Sequence, residues 1–130
     1  MKVKLLKKDR ELTKKQYDLF RKFIAFLQKN FPLKQDVTIC FLPHRVGEMT
    51  TGSSIPELRI MNILTRNRLN RDILRTMAHE WVHEHQMSVL GRDFGPNIGG
   101  INEDEANAYA GRLVKMFEKD YPNLEKLNYE

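Results

Sequence analysis

The chain is poor in cysteine and in long apolar runs, and both shortages exclude classes of protein. Cys40 is the only cysteine among the 130 residues, so an intrachain disulfide and a multi-cysteine zinc knot are excluded. The longest apolar run, residues 23–27, is far shorter than the roughly 18 to 20 residues that cross a bilayer. The basic N-terminus is not followed by the about 7 to 15 apolar residues of a secretory signal, so we expect a cytoplasmic protein that contacts no membrane.

Internal repeats, low-complexity tracts and linkers rich in Pro, Gly or Ser are also absent from the sequence. The hydrophobic share of 41% and the charged share of 30% are typical of a folded globular chain and not of a disordered one. A chain of 130 residues has the usual size of one domain and buries roughly two-thirds of its unfolded surface. We therefore predict a single domain over residues 1–130 and expect a monomer.

The formal net charge of +5 is unevenly distributed. Residues 1–34 hold eleven Lys or Arg and three acids, whereas residues 35–130 hold eleven and fourteen. A basic N-terminal quarter fits either a solvated helix face or a surface for an acidic partner, nucleic acid included. The solvated face is the commoner case, so nucleic acid is a partner that the charge allows but does not favour.

Hydrophobic spacing predicts the first half of the fold. Thr13 and Gln16 form a capping-box pattern before a helical apolar repeat, so a first helix is expected over about residues 14–30. The β-branched and aromatic run Val37–Leu42 predicts a strand, and alternation over residues 57–64 predicts a second one. Residues 2–6 could add a further strand.

Two more helices are predicted in the second half. Asn70 is a candidate N-cap and Gly91 a candidate stop, which defines a central helix of about 20 residues. Residues 91–100 hold four glycines and a proline, typical of a loop, and Asn102 could cap a third helix that ends near residue 119. The predicted fold class is α+β, with the N-terminal helix and a small, mostly antiparallel sheet packed against the central and third helices.

His79, Glu80 and His83 form the pattern His-Glu-x-x-His in the middle of the central helix. Residues four apart on a helix face the same direction, so both imidazoles can bind one ion while Glu80 lies beside it. Zinc accepts nitrogen and oxygen ligands, and a catalytic zinc keeps a position open for water. In such a site Glu80 is expected to act as general base and then as general acid in peptide hydrolysis. The alternative is that these are ordinary surface or core side chains.

Two further histidines are weak candidates for a third ligand. His85 lies about 200° around the helix from the histidine pair, at about 100° per residue. His44 follows the first predicted strand and has no ligand spacing. We interpret both histidines as structural.

The third helix offers better ligand candidates. Glu103 shares a face with two alanines and Asn107, and small alanines allow close packing on the central helix, which would bring the Glu103 carboxylate to the ion. Glu105 is the alternative ligand, and either acid could simply favour the helix N-terminus. Asn107, one turn after Glu103, could accept the second ring N–H of a metal-bound histidine.

The two motifs together resemble those of the ImmA/IrrE-type zinc metallopeptidases. They are His-Glu-x-x-His over residues 79–83 and Glu-x-Glu-Ala-Asn-x-aromatic-Ala over residues 103–110, and the resemblance covers about residues 60–117. It implies a zincin-like, gluzincin-like minimal protease domain in which His79, His83 and Glu103 bind zinc and Glu80 is the catalytic base. A more distant similarity to SprT-type proteases includes Asn62, just before the central helix.

The resemblance also suggests substrates. Members of this family commonly cut a repressor or transcription factor in the bacterial or phage cytosol. Related zincins are similar in placing an exposed strand beside the metal, where substrate adds as another extended strand. The expected substrate edge strand lies within residues 58–63 and includes Arg59, Ile60, Met61 and Asn62. Arg75, one turn before His79 on the same face, is a candidate oxyanion or substrate contact, and the alternative for it is a solvent-facing charge.

The leading hypothesis is therefore a zinc-dependent endopeptidase that binds one zinc ion per chain and cuts a protein or peptide substrate. The alternative is a non-catalytic, zinc-stabilised binding module whose basic N-terminal helix engages nucleic acid or an acidic protein. Glu80 favours catalysis, because zinc binding alone requires no carboxylate at that position.

Overall fold

The computed structural model describes residues 1–92 and 100–129, with side chains described through residue 126. In chain order the elements are β1 (Val3–Lys7), α1 (Lys14–Asn30), β2 (Val37–Leu42), β3 (Gly52–Ile55), β4 (Ile60–Leu64), α2 (Asn70–Ser88), α3 (Ile101–Asp120) and the 3-10 helix η1 (Leu124–Tyr129). The predicted α+β class is confirmed, as are the first helix and the strand near the N-terminus. The predicted glycine-rich loop falls mostly on residues 93–99, outside the described residues.

The four strands form one sheet in the order β1-β2-β4-β3. β1 pairs in parallel with β2 and β2 pairs in parallel with β4, so the prediction of a mostly antiparallel sheet is wrong. The reason is that α1 carries the chain back between β1 and β2, and a helical crossover produces parallel neighbours. Only the tight connection between β3 and β4 produces an antiparallel pair.

The strand predicted over residues 57–64 is shorter than its alternating pattern suggested. A turn occupies residues 56–59, where Arg59 has a φ of 53°, and β4 begins at Ile60. Because β4 lies between β2 and β3, the prediction that Arg59, Ile60, Met61 and Asn62 form a substrate edge strand is wrong. The free edge on that side is β3, whose Gly-Ser-Ser-Ile sequence has too little β propensity to stand out.

The two edges of the sheet differ in charge. β1 forms one edge and contributes Lys4 and Lys7, both exposed, to it. Lysines along an edge strand discourage pairing with another chain. β3 forms the other edge and carries no charged residue. An added strand is therefore expected to pair with β3 and not with β1.

Both α1 and α2 pack on the same face of the sheet. Phe41 of β2 stacks on Phe20 of α1, with ring centroids 5.1 Å apart, and meets Tyr17 edge to face. Trp81 of α2 is fully buried and its indole N–H donates to the Phe31 carbonyl oxygen. α3 packs on α2 and also contacts α1, where Phe117 meets Phe23 edge to face. The apolar stripe that its spacing predicted is buried, namely Ala106, Ala110, Leu113, Val114 and Phe117. None of the described helices is long and apolar enough to cross a membrane.

The N-termini of α2 and α3 differ from the predicted caps. Asn70 is the first residue of α2 and is fully buried, so it does not cap the helix. Its side chain accepts a hydrogen bond from Gln16 Nε2 at 2.9 Å and donates one to the Leu124 carbonyl oxygen at 2.7 Å. Asn102 likewise lies inside α3, and Gly100 occupies the N-cap position.

A carboxylate from η1 caps α2 instead. The two oxygens of Glu125 accept the backbone N–H groups of Asn70 and Arg71, each at 2.8 Å. These are two of the N–H groups that a helix leaves without partners at its start, and a negative charge there is also favoured by the helix dipole. The C-terminal segment therefore stabilises the beginning of α2, 55 residues away in sequence.

We expect Glu125→Ala to lower the free energy of unfolding by about 1 to 2 kcal/mol, the usual effect of losing a helix cap. Thermal or urea unfolding followed by circular dichroism measures the change. Glu48→Ala, which removes the same charge from an exposed loop, is the control and is expected to change stability little. Equal effects of the two substitutions would contradict a capping role for Glu125.

Candidate metal centre

Three potential ligands converge where α3 crosses α2. His79 and His83 lie on one face of α2, and their Nε2 atoms are 3.1 Å apart. Glu103, in the first turn of α3, places Oε1 2.9 Å from His79 Nε2 and Oε2 2.5 Å from His83 Nε2. All three side chains offer a ligand atom within a sphere that could hold a metal ion. The predicted set of His79, His83 and Glu103 is therefore brought together by the fold.

The structure distinguishes between the two glutamates that the sequence analysis left as alternative third ligands. Glu105 points away from the histidines and pairs with Arg92, its Oε1 lying 2.9 Å from Arg92 Nη1. Two residues along a helix correspond to about 200°, so Glu103 and Glu105 cannot face the same partner. Glu103 is the acid directed at the histidine pair.

Gln86 orients one of the potential ligands, His83, and was missed by the sequence analysis. Its Nε2 donates to the Asn102 carbonyl oxygen at 3.1 Å, which leaves its Oε1 facing His83 Nδ1 at 3.0 Å. Because Oε1 can only accept, His83 Nδ1 carries the proton and Nε2 presents its lone pair to the centre. The only signal in the sequence was a polar residue one turn after His83.

Asn107 lies beside the other histidine, His79, in the same cleft. That it accepts a ring N–H from a metal-bound histidine stays a prediction. Burial and the neighbouring His83 lower the pKa of His79, although Glu103 and Asn107 oppose this shift. The lowered pKa favours the neutral imidazole at neutral pH, and this is the form that binds a metal.

Glu80 lies beside the three potential ligands in a buried position. Burial, reinforced by the negative charge of Glu103, raises the pKa of Glu80 to about 8. Its Oε2 is buried and has no hydrogen-bond partner within residues 1–92 and 100–126. An unpaired buried carboxylate is costly to stability, and such groups are concentrated at functional sites.

Gly52 of β3 is the reason that the sheet edge reaches Glu80. A Cβ atom at position 52 would lie 2.5 Å from Thr76 Cγ2 and 3.3 Å from Glu80 Cγ. The first of these distances is too short for any real side chain, so only glycine lets β3 approach α2 this closely. Gly52, Glu80, His79 and Glu103 all line one cleft of about 340 Å³.

Arg75 and the two remaining histidines are placed as follows. Arg75 is exposed and lines the same cleft, so it is available to a bound molecule. His85 packs edge to face against Phe31, with ring centroids 5.3 Å apart, and His44 is exposed on the loop after β2. Neither belongs to the potential ligand cluster.

The donor set fits a divalent ion of the zinc type. Two imidazole nitrogens and one carboxylate are a known ligand combination of catalytic zinc sites. Bonds of about 2.0 to 2.1 Å in tetrahedral geometry separate ligand atoms by about 3.3 Å. The observed separations of 2.5 to 3.1 Å require only a small outward shift, and the partly exposed Glu103 has room to make it.

We expect Glu103→Ala to weaken zinc binding by more than about 100-fold, the upper range for losing an outer hydrogen-bond partner of a ligand. Glu105→Ala is the matched control, since it removes the same group two residues away, and it is expected to bind zinc like the unchanged protein. Competition against a chromophoric chelator at neutral pH measures both affinities. Equal loss in the two variants, or loss only in Glu105→Ala, would contradict the ligand set.

Comparison with known proteins identifies no relative of this chain. No protein-family model matches the chain, and neither a curated protein nor a solved structure matches it.

Proposed function

We propose that the protein is a zinc-dependent endopeptidase and that its active site is the cleft between α2, α3 and β3. The observation that carries the proposal is the convergence of two histidines and Glu103 beside a buried carboxylate, Glu80, whose Oε2 has no partner among the described residues. A site built only to hold a metal needs the three ligands and gains nothing from a fourth, unpaired acid in the same cleft.

Each of the residues around the cleft can perform one part of peptide hydrolysis. Zinc bound there would supply Lewis acidity, polarising the scissile carbonyl and lowering the pKa of water. Glu80 would take a proton from the attacking water and deliver it to the amine that leaves. Burial raises the pKa of Glu80, and the positive charge of a bound zinc would counteract that rise, so Glu80 would be able both to accept and to return a proton near neutral pH. Gln86 and Asn107 would keep the two imidazoles in a fixed orientation.

The free edge of β3 suggests how a substrate is held. The Thr51 carbonyl oxygen accepts the Leu64 N–H at 2.9 Å, and hydrogen-bonded pairs alternate along an antiparallel ladder. The N–H and C=O groups of Gly52 and Ser54 therefore point away from β4. An extended peptide could pair with these groups and would then lie next to Glu80. Backbone pairing binds many sequences, which fits a protein substrate.

The resemblance to ImmA/IrrE-type peptidases narrows this proposal. It suggests a regulatory protein, such as a repressor, as the substrate and the cytoplasm as the location. The alternative, a non-catalytic, zinc-stabilised module whose basic N-terminal helix binds nucleic acid or an acidic protein, has less support. It assigns no role to Glu80, the buried acid beside the three potential ligands.

We expect Glu80→Gln to lower kcat by about 100- to 10,000-fold, the usual contribution of a general base, while zinc content stays at one ion per chain. Glu84→Gln is the matched control. Glu84 is also a buried glutamate on α2, one turn further along, but it does not line the cleft. Cleavage of a proteome-derived peptide mixture, with new termini counted by mass spectrometry, measures activity. Undiminished cleavage by zinc-loaded Glu80→Gln would refute the proposal.

We expect Ser54→Pro to lower kcat/KM by about 2- to 10-fold, the value of one hydrogen bond, because proline removes an N–H that points away from β4. Ser54→Ala retains that N–H and serves as the control. Zinc content and melting temperature show whether Ser54→Pro remains folded. If folded Ser54→Pro cut peptides as fast as Ser54→Ala, substrate would not pair with β3 at this residue.

A further inference from the structure

Side chains of α2 and α3 meet at successive helical turns. At one of these turns the α2 side chain has no partner on α3. On α3, residues 103, 107 and 111 follow one another at intervals of four and so share a face. Glu103 contacts both histidines and Asn107 contacts His79. One turn further along α3 and one turn back along α2, Gly111 lies opposite Arg75.

Gly111 leaves the guanidinium of Arg75 without a partner from α3. The nearest atom to a Cβ built at position 111 is Arg75 Nη2, 3.8 Å away. Among residues 1–92 and 100–126, no carboxylate pairs with Arg75 and no hydrogen bond is made by its side chain. Arg68, the other arginine of the cleft, is held by the Leu64 and Asp72 carbonyl oxygens and by Thr76.

Helix stability does not explain a glycine at position 111. Within a helix, glycine costs about 0.5 to 1 kcal/mol relative to alanine. Gly111 does not have a positive φ, so its backbone conformation does not require glycine. A methyl group there would make only an ordinary van der Waals contact. Glycine therefore places no side chain against the Arg75 guanidinium, and Arg75 itself lines the cleft that contains His79 and Glu103.

We propose that Arg75, which lines the cleft and meets no side chain from Gly111 of α3, binds a carboxylate of the substrate and makes the site selective for it. The inference rests on the proposed function in placing substrate in this cleft. The carboxylate is that of an Asp or Glu side chain or that of a peptide C-terminus, since a guanidinium recognises both with two parallel hydrogen bonds. The substrate carboxylate then pairs with Arg75 at the turn of Gly111, as Glu103 and Asn107 meet the histidines at the two preceding turns of α3.

The test measures binding apart from catalysis. The protein is the zinc-loaded, full-length Glu80→Gln variant, and the probes are fluorescent alanine-rich peptides blocked at both ends. One series moves a single Asp along the peptide and a matched series has Asn instead. A third peptide contains Asn and keeps a free C-terminal carboxylate, which separates the two sources of the group. We expect an Asp peptide or the free-acid peptide to bind about tenfold more tightly than its neutral partner.

Two substitutions, each added to the Glu80→Gln protein, show whether Arg75 causes the preference for acidic peptides. Arg75→Gln removes the cation, and Gly111→Asp places a carboxylate within reach of Arg75 inside the protein itself. Each is expected to reduce the ratio of acidic to neutral affinity to about one. Arg112→Gln is the control, because Arg112 is exposed, lies over the Tyr109 ring and does not line the cleft. It is expected to keep the tenfold ratio, and melting temperatures verify folding.

The outcomes separate this inference from the proposed function. Equal affinity for the Asp, Asn and free-acid peptides would overturn the inference, as would a preference that persists in Arg75→Gln, because the metal would then be the carboxylate receptor. Absence of cleavage by the zinc-loaded protein with Glu80 intact would contradict the endopeptidase proposal alone. A preference lost in both Arg75→Gln and Gly111→Asp and kept in Arg112→Gln would support the inference in either case.

Discussion

The close approach of α3 to α2 is the constraint on which the rest of the site depends. Ala106 and Ala110 are fully buried, and side chains no larger than methyl groups let two helix backbones come close together. At that distance Glu103 reaches both histidine nitrogens and Asn107 reaches His79. A bulkier residue at either alanine would lengthen all of these contacts together. The geometry of the three potential ligands is therefore a consequence of core packing.

Buried polar groups hold the site helix at both of its ends. Near the start of α2, Asn70 is fully buried and hydrogen-bonded to both α1 and η1, while Glu125 caps the helix. Near its end, Gln86 is hydrogen-bonded to His83 and to α3. Fully satisfied buried groups of this kind rigidify a structure. Glu80 and Glu84, between them, each have one buried carboxyl oxygen without a partner among the described residues, and of the two only Glu80 lines the cleft with His79 and Glu103.

The helices and their potential metal ligands were predictable, whereas the sheet edge was not. Apolar spacing predicted α1 and the buried stripe of α3, and the interval of four residues placed His79 and His83 on one face. β3 carries Gly-Ser-Ser-Ile, which resembles a loop in sequence and becomes a strand only by pairing with β4. Strand order is a non-local property, so alternation within β4 could not reveal that it has neighbours on both sides.

By itself the sequence determined the local chemistry: an amphipathic helix that presents two histidines and an acid, and a second helix with two candidate acids in its first turns. Only the tertiary structure decided that Glu103 meets the histidines while Glu105 pairs with Arg92, because that outcome depends on how α3 is rotated against α2. It also decided that Gly111 lies opposite Arg75. Helical periodicity fixes which residues share a face, but packing between helices fixes which faces meet.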